Sequence, residues 1–579
     1  MASTTDTTHT AATGVLTPVL STRLALRPSH AALCLLLVLV FVVLSYLPLP
    51  AGALWSHVAQ GEAFWTQSFT GSAAAGQQQL PLSEGVAMPL LPWLSQAILG
   101  GVFHLAGAEG LSALFAVVTF GAVLMLAVTY YLQTRRKRFV AAGVLLTLAL
   151  AWGLVSVLSV ETFGFFCLAA LLLTLVSASS WQCVEGATAG AFEDQEDQAA
   201  PPFAPWLWAV VPVLMVLWAN LGNSFLVGVL VVAAWAVGHL IDRVAAVGLR
   251  AAIAEPHVRR RIYLAELALA ATLINPYGVD RWLASVRWLP GNWGMAEGAF
   301  VPLVLWSMQG ALFAGVLLAA AVLLRVSPRR LSGSTIMLFV GGAVAVAIHA
   351  PWLLWFAPVA AVLLLPHVAA ATGVQPREQA EATPVIVATE DAQEQPATFQ
   401  FAYTLVCGLL IWTGFALSPL ATPILGGKPR AAQQVHSADV PLAVTAWLQQ
   451  QPWQPKLVWA PANWADYLAY RYQMPIYAGS TLYALPLQVQ NDYMLIARGD
   501  NWQALADRYA IDLIVASKAD NRRLASSIRQ AAGNTWQVVY EDGRAVVARR
   551  VTPATAQAAK AGDKPQPATN SAQGEGRDA

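Results

Sequence analysis

Charged side chains are scarce in this 579-residue chain, since Asp, Glu, Lys and Arg make up 11% of it. Soluble globular domains contain roughly 25%. Hydrophobic residues make up 57%, and the mean hydropathy is +0.54. The lack of charge excludes a soluble globular protein and predicts an integral membrane protein. A net charge of +1 offers no basic face for nucleic acid, so no nucleic-acid partner is expected.

Cysteine is also scarce, with four residues in the chain. They are Cys34, Cys167, Cys183 and Cys407, and no two of them form a Cys-x-x-Cys pair. None has a histidine nearby at the spacing that zinc sites use. The pattern predicts neither a disulfide nor a zinc site.

Long apolar stretches are abundant, and eleven of them approach the roughly 20 residues that a membrane-spanning helix needs. The predicted spans are 31–50, 110–133, 139–158, 162–180, 204–221, 223–242, 262–276, 303–325, 334–349, 351–366 and 400–419. The first is predicted to be retained, because no small-x-small cleavage site follows it. The apolar segment 88–105 is interpreted as an amphipathic or re-entrant helix on the outer leaflet, because a crossing there would invert the later loops.

Basic residues cluster on one side of this arrangement, in segments 135–138, 243–261 and 325–330. Short loops rich in Arg and Lys stay cytoplasmic. The pattern therefore predicts a multi-pass protein of the bacterial inner membrane with a cytoplasmic N-terminus. The remaining loops, which carry the unusual polar motifs, are predicted to face the periplasm.

Composition divides the chain further. Residues 1–30 and 553–579 lack apolar periodicity and are expected to be disordered. Acidic segments at 193–197 and about 372–400 are expected to be solvated linkers. Residues 31–420 are predicted to form the transmembrane domain, with an outer loop and amphipathic helix over 51–108.

Residues 421–552 change character and predict a small periplasmic α/β domain. Short apolar runs at 456–459, 512–515 and 536–540 are typical of strands, and helix-period segments precede the first two. Segment 541–544 predicts a hairpin turn, with Asp542-Gly543 supplying positive φ. The predicted fold class is mainly α, a polytopic membrane helix bundle with a small C-terminal α/β domain.

The first outer loop carries residues suited to acid–base chemistry, namely His57, Glu62 and Glu84. Histidine titrates near neutrality, and burial tunes the pKa of a glutamate. An interfacial aromatic belt containing Trp55 explains the same loop without any chemistry, and both interpretations stay open. Glu161 lies between two spans, and an ionisable residue beside a membrane pathway is a functional candidate.

Several motifs on the predicted outer side occur in a recognisable order: Leu54-Trp55-Ser56-His57, Trp218-Ala219-Asn220-Leu221-Gly222, Asn275-Pro276-Tyr277-Gly278 and Trp464-Ala465-Asp466-Tyr467-Leu468. Singly, the Asn, Pro and Gly residues are ordinary turn chemistry. In combination they resemble a group of bacterial membrane proteins similar to the GT-C superfamily of polyprenol-phosphate-sugar-dependent glycosyltransferases. The resemblance covers most of residues 31–550. It implies a GT-C-like bundle that transfers a sugar from a polyprenyl-phosphate carrier at the outer face of the inner membrane.

The resemblance also implies site residues. The acidic positions of the first outer loop are Ala51 and Ala53 in this chain, so the expected acid is missing. Glu62, Glu84 or Glu161 is expected to supply a carboxylate instead, with Glu62 the first choice.

His57 or Arg287 is expected to lie near the phosphate. Trp55, Asn220, Asn275 and Tyr277 are further candidates for binding substrate. A divalent metal is compatible with this chemistry, but no metal ligands are assigned.

The missing acid leaves a second hypothesis open. A fold can persist where its chemistry has been lost. The chain would then be a catalytically inactive GT-C-like scaffold or subunit, binding membrane lipid and envelope proteins. A transporter fits less well, because repeated halves are not evident.

Overall fold

A computed structural model describes residues 26–66, 82, 92–189, 203–288, 302–372, 397–480, 482, 485–531 and 535–551. Most of the ends predicted to be disordered, and nearly all of both acidic segments, lie outside these residues. The first helix begins at Pro28, inside the segment 1–30 that was expected to be disordered. Proline is well suited to the first position of a helix, because its missing N–H is not needed there.

Helices dominate the described chain. The first fourteen are α1 Pro28–Ser45, α2 Leu54–Thr66, α3 Trp93–Thr134, α4 Lys137–Val155, α5 Glu161–Ala189, α6 Leu207–Leu221, α7 Phe225–Val247, α8 Leu249–Ala254, α9 Pro256–Ala271, α10 Val279–Trp288, α11 Met308–Val326, α12 Gly333–Ile348, α13 Leu353–Ala371 and α14 Ala397–Leu417. The C-terminal domain adds α15 Thr422–Leu425, α16 Ala432–Val435, α17 Leu442–Gln449, β1 Val458–Trp459, α18 Ala462–Tyr472, α19 Leu487–Arg498, α20 Trp502–Arg508, β2 Leu513–Ser517, α21 Arg522–Ala531, β3 Trp536–Glu541 and β4 Ala545–Arg550.

Each predicted span coincides with a helix, but the helices differ in length and hydropathy, the two properties that a membrane-spanning helix requires. Within the described ranges, seven are long and apolar enough, namely α1, α3, α4, α5, α7, α11 and α13 with the short turn before it. An eighth is obtained if α14 and the segment after it, bent by 79°, count as one span. Helices α6 and α12 are apolar but shorter, and α9 falls in neither group. A multi-pass helical fold is therefore confirmed, whereas the count of eleven stays a prediction.

The basic segments lie together at one end of the bundle, here called the basic end. There the carboxylate of Asp242 accepts a hydrogen bond of 2.8 Å from the Gly333 amide. The Lys137 ammonium donates to the Ser29 hydroxyl over 3.2 Å. The C-terminal domain contacts the opposite end, here called the domain end, where Leu49 forms a parallel bridge with His436.

Segment 88–105 was predicted to be an outer helix packed against the first loop. The structure begins α3 at Trp93 and breaks it at Gly107, whose φ is +59°. The part before the break packs along α2, where Gly61 lies against the backbone of Gln96 and Gly100. A Cβ on either glycine would overlap the backbone of the other helix. Whether this part of α3 crosses a bilayer stays a prediction.

The C-terminal domain has the predicted α/β character. Its sheet has the order β1-β2-β4-β3, with β1 parallel to β2 and the other pairs antiparallel. The hairpin between β3 and β4 is confirmed, but neither Asp542 nor Gly543 has positive φ, so that detail was wrong. The Asp542 carboxylate instead accepts hydrogen bonds of 2.7 Å from the amides of Arg544 and Ala545. These bonds close the turn without a left-handed residue.

The domain shares a hydrophobic core with the domain end of the bundle. One cluster of buried side chains joins strands β2 and β4 to Trp55 and Val58 of α2 and to Phe115 of α3. A second cluster fills the interior of the bundle. Because the first cluster is continuous across the junction, the domain packs directly on α2 and α3.

A candidate polar site at the domain end of the bundle

Helix α2 makes contacts on two faces. Trp55 and Glu62 are seven residues apart, so they lie on nearly the same side of a helix. Both contact Tyr470 of the C-terminal domain. The Tyr470 hydroxyl donates to the Glu62 carboxylate over 3.0 Å, and its ring stacks on Trp55 with centroids 5.6 Å apart. This face of α2 is a contact with the domain.

The other face of α2 carries a chain of polar side chains toward α3. The Gln96 amide nitrogen lies 3.2 Å from Nδ1 of His57 and 2.5 Å from the carbonyl oxygen of Gln60. Gln60 in turn donates to the Ser56 hydroxyl over 3.4 Å. Because the Gln96 NH2 group is a donor, the His57 Nδ1 atom accepts, which places the imidazole proton on Nε2.

His57 is held in its neutral form. Burial, and secondarily the positive charge of Arg281, lower the pKa of His57 to about 4. At neutral pH the ring therefore carries no charge, and it can donate one hydrogen bond and accept another. This separates His57 from Glu62, which faces the domain instead.

Arg281 is the residue that sequence reasoning missed. It belongs to α10, and its side chain is 1% exposed. A buried guanidinium is costly unless anionic or hydrogen-bonding groups surround it. Its charge acts on both His57 and Glu161, which come from α2 and α5. Arg281 therefore lies within electrostatic range of both groups.

Glu161 is the first residue of α5 and lies beside Ser224, the residue that precedes α7. Its Oε2 atom is buried and has no hydrogen-bond partner among the described residues. The Ser224 hydroxyl accepts from the indole of Trp218 over 3.2 Å. Gly164 makes room for that hydroxyl, because a Cβ there would overlap the Ser224 oxygen. We name His57, Gln96, Glu161, Ser224 and Arg281 the Arg281 cluster.

The turn motifs singled out in the sequence position this cluster. The side chain of Asn220 accepts from the Trp93 indole over 2.7 Å and donates to the carbonyls of Val216 and Ile274. It thereby joins α3, α6 and the turn after α9. All of these bonds are internal, so the structure uses Asn220 as a structural link.

Asn275 and Tyr277 form the turn that leads into α10. The Asn275 carbonyl oxygen accepts from the Tyr277 amide over 2.9 Å, and its NH2 group donates to the Thr272 carbonyl over 2.8 Å. Trp282, next to Arg281, donates to the Thr272 hydroxyl over 2.9 Å. The turn thus sets the start of α10 and with it the position of Arg281.

Other predicted site residues lie elsewhere. Trp55 is 2% exposed, and its indole donates to the Pro50 carbonyl over 2.8 Å, so it packs inside the domain contact. Glu84 lies outside the described residues. Arg287 belongs to α10, but its side chain is outside the described part. The structure places His57 and Glu161 within electrostatic range of Arg281, whereas Glu62 contacts Tyr470.

The positions of the missing acids also differ from each other. Ala51 is 3% exposed and belongs to the core shared with the domain, whereas Ala53 is exposed. Within the described ranges, no group of three His, Cys, Asp or Glu side chains could hold a metal ion. The divalent metal stays a prediction without assigned ligands.

No protein-family model matches this chain, and no curated protein sequence matches it. Among solved structures, the chain is similar to the crystal structure of ArnT from Cupriavidus metallidurans bound to undecaprenyl phosphate. The match has 14% identity and a TM-score of 0.45, and it covers 90% of this chain and 98% of that chain. A similarity of this size carries no argument about the chemistry of this chain.

Proposed function

We propose that this protein binds a polyprenyl-phosphate-linked sugar at the domain end of the bundle and transfers the sugar to an acceptor hydroxyl. The observation that carries the proposal is Arg281, a guanidinium buried at the domain end of the bundle within electrostatic range of the neutral His57 imidazole and of Glu161. A planar guanidinium is well suited to a phosphate, which it binds through two parallel hydrogen bonds. The sequence motifs of the outer loops support the same function.

The proposed roles follow from the chemistry of the Arg281 cluster. Arg281 binds the carrier phosphate and stabilises the charge that develops as this group leaves. The acceptor oxygen forms a bond to the anomeric carbon, the bond between that carbon and the phosphate oxygen breaks, and polyprenyl phosphate departs. Glu161 takes the proton of the acceptor hydroxyl, because its Oε2 atom is unpartnered within the described residues. Neutral His57 donates a hydrogen bond through Nε2.

A catalytically inactive scaffold is the second candidate. The buried Ala51 favours it, because a carboxylate at that position would be desolvated among apolar side chains of the shared core. The close packing of Trp55 on Tyr470 and His436 favours it as well, since the domain covers this part of α2. In this case the Arg281 cluster would bind a lipid phosphate without turnover.

Two measurements test the proposal. The first is binding of polyprenyl phosphate to the purified full chain in detergent, followed by native mass spectrometry. Arg281→Gln should weaken binding about tenfold or more, and Arg281→Lys, which keeps the charge but not the planar fork, should lose less. A thermal melt of each variant shows whether the fold is retained.

The second measurement is the release of polyprenyl phosphate from a labelled polyprenyl-phosphate sugar mixed with bacterial envelope extract. Glu161→Gln should keep binding but slow release by about two or more orders of magnitude. Glu62→Gln is the matched control and should change the rate little, because Glu62 contacts Tyr470. Binding without release by the unaltered protein supports the scaffold, and absence of binding rejects both candidates.

A further inference from the structure

An apolar groove of about 480 Å³ lies between the end of α11 and the end of α13, at the basic end of the bundle. It is lined by Leu318, Ala319, Val322, Leu323, Val326 and Ala371. Three of these residues follow one another at intervals of four along α11. They are Leu318, Val322 and Val326, which are 70%, 66% and 64% exposed. The groove therefore opens on the outside of the bundle, along one stripe of α11.

Three arginines lie at the end of this stripe. Arg325 follows Val322 by three residues and Leu318 by seven, so it continues the stripe one turn further, about 10 Å from Leu318. Arg329 and Arg330 follow in the loop after α11, and all three side chains are exposed. None has an acidic side chain at ion-pair distance among the residues that the structure describes.

The loop that carries these arginines is anchored beside the groove. The Ser327 hydroxyl lies 3.0 Å from Nδ1 of His367 in α13 and accepts from the Arg329 amide over 3.3 Å. The charge of Arg329 is close enough to act on His367. Arg325 on α11, and Arg329 and Arg330 in the loop that Ser327 ties to α13, therefore lie at the mouth of the groove.

We propose that this groove binds an anionic phospholipid, with an acyl chain along α11 and the phosphate headgroup at Arg325, Arg329 and Arg330. Charge complementarity selects the occupant. Three cations without a protein counter-ion in the described residues favour a headgroup with net negative charge over a zwitterionic one, and basic pockets between membrane helices bind such headgroups. This site lies at the opposite end of the bundle from the Arg281 cluster and does not depend on the function proposed for that cluster.

Native mass spectrometry of the purified full chain tests the headgroup. The protein is titrated separately with phosphatidylglycerol and with phosphatidylethanolamine of the same acyl chains. We expect tighter binding of phosphatidylglycerol. Arg329→Gln combined with Arg330→Gln should weaken it about twenty-five-fold, at about fivefold for each arginine. The matched control is Arg259→Gln with Arg260→Gln, an exposed pair at the basic end that does not line the groove, and it should leave binding unchanged.

A second pair of variants tests the groove itself. Ala319→Trp fills the groove with an indole and should reduce phosphatidylglycerol binding, whereas Ala321→Trp, exposed on the same helix but outside the lining, should not. The proposal is overturned if the protein binds phosphatidylglycerol and phosphatidylethanolamine equally. It is also overturned if the Arg329/Arg330 double variant and the Arg259/Arg260 control bind phosphatidylglycerol equally. The proposal is also overturned if phosphatidylglycerol binds only after the acidic residues of segment 373–396 are replaced by Gln. In that case the segment itself would be the native occupant of the groove.

Discussion

Arg430 and Glu109 are 321 positions apart in the chain and form a doubly bonded ion pair. One terminal nitrogen of Arg430 lies 2.6 Å from the carboxylate, and the Nε atom donates over 3.0 Å. Arg430 also donates to Ser112 over 2.9 Å. Glu109 follows the break in α3 at Gly107 by two residues. The pair therefore ties the start of the C-terminal domain to the point where α3 changes direction.

Arg430→Gln should loosen this connection. The Arg430 side chain is 12% exposed, and charge-assisted hydrogen bonds contribute about 1.5–3 kcal/mol each. We expect a loss of about 2 kcal/mol and faster limited proteolysis between α14 and α17. Arg529→Gln is the control. It breaks an ion pair with Glu541 whose side chains are 42% and 39% exposed, and such pairs contribute about 0–1 kcal/mol. Equal effects of the two variants would contradict a specific role for Arg430.

Gly100→Ala should separate α2 from α3. The added Cβ would overlap the backbone at Gly61, so the helices must move apart, at a typical cost of about 1–3 kcal/mol. The movement should also disturb the contact between Gln96 and His57. Gly315→Ala in α11 is the matched control, because nothing lies within 4 Å of its Cβ and alanine favours a helix. Thermal melts of both variants in detergent measure the difference, and a melt of Gly100→Ala like that of the unaltered protein would refute the close approach.

Asn220→Ala should destabilise the bundle without removing a catalytic group. Asn220 is 7% exposed, and its loss leaves the Trp93 indole and the Ile274 carbonyl without their partner. An unsatisfied buried polar group costs about 1–3 kcal/mol. Asn491→Ala, exposed on α19, should change stability by less than about 0.5 kcal/mol. If Asn220→Ala instead preserved the melting temperature and abolished substrate binding, Asn220 would be a binding residue as the sequence suggested.

Asp466 should make the stability of the C-terminal domain depend on pH. Burial raises the pKa of Asp466 to about 6, against the usual 3.8, although the Ser480 amide donates to it. Between about pH 4 and pH 6 the folded state binds more protons than the unfolded state. Raising the pH through this window therefore lowers stability, by an amount of order 3 kcal/mol at about 1.4 kcal/mol per pKa unit.

Amide hydrogen exchange of β2 in the full chain measures this effect, after correction for the intrinsic pH dependence of exchange. Protection should fall between pH 4.5 and pH 7.5 in the unaltered protein and fall less in Asp466→Asn. Asp439→Asn removes an exposed carboxylate and should retain the full change. The same pH response in all three proteins would show that Asp466 is not its source.

Sequence alone determined the membrane class of this protein, because a chain with so little charge and so many long apolar stretches cannot fold as a soluble globule. It also placed the helices and the short strands, since hydrophobic periodicity is local. It did not determine which residues meet. Glu62 is five residues from His57 in the chain, yet the 100° step of a helix turns it toward Tyr470.

Arg281 became a candidate site residue only in the tertiary structure. No local pattern distinguishes it from Arg287 in the same helix, and only the packing of α2, α5 and α10 makes it the buried cation beside His57 and Glu161. Burial and electrostatic neighbours come from elements far apart in sequence. For this reason the tertiary structure, and not the motif order, decided where the candidate site lies.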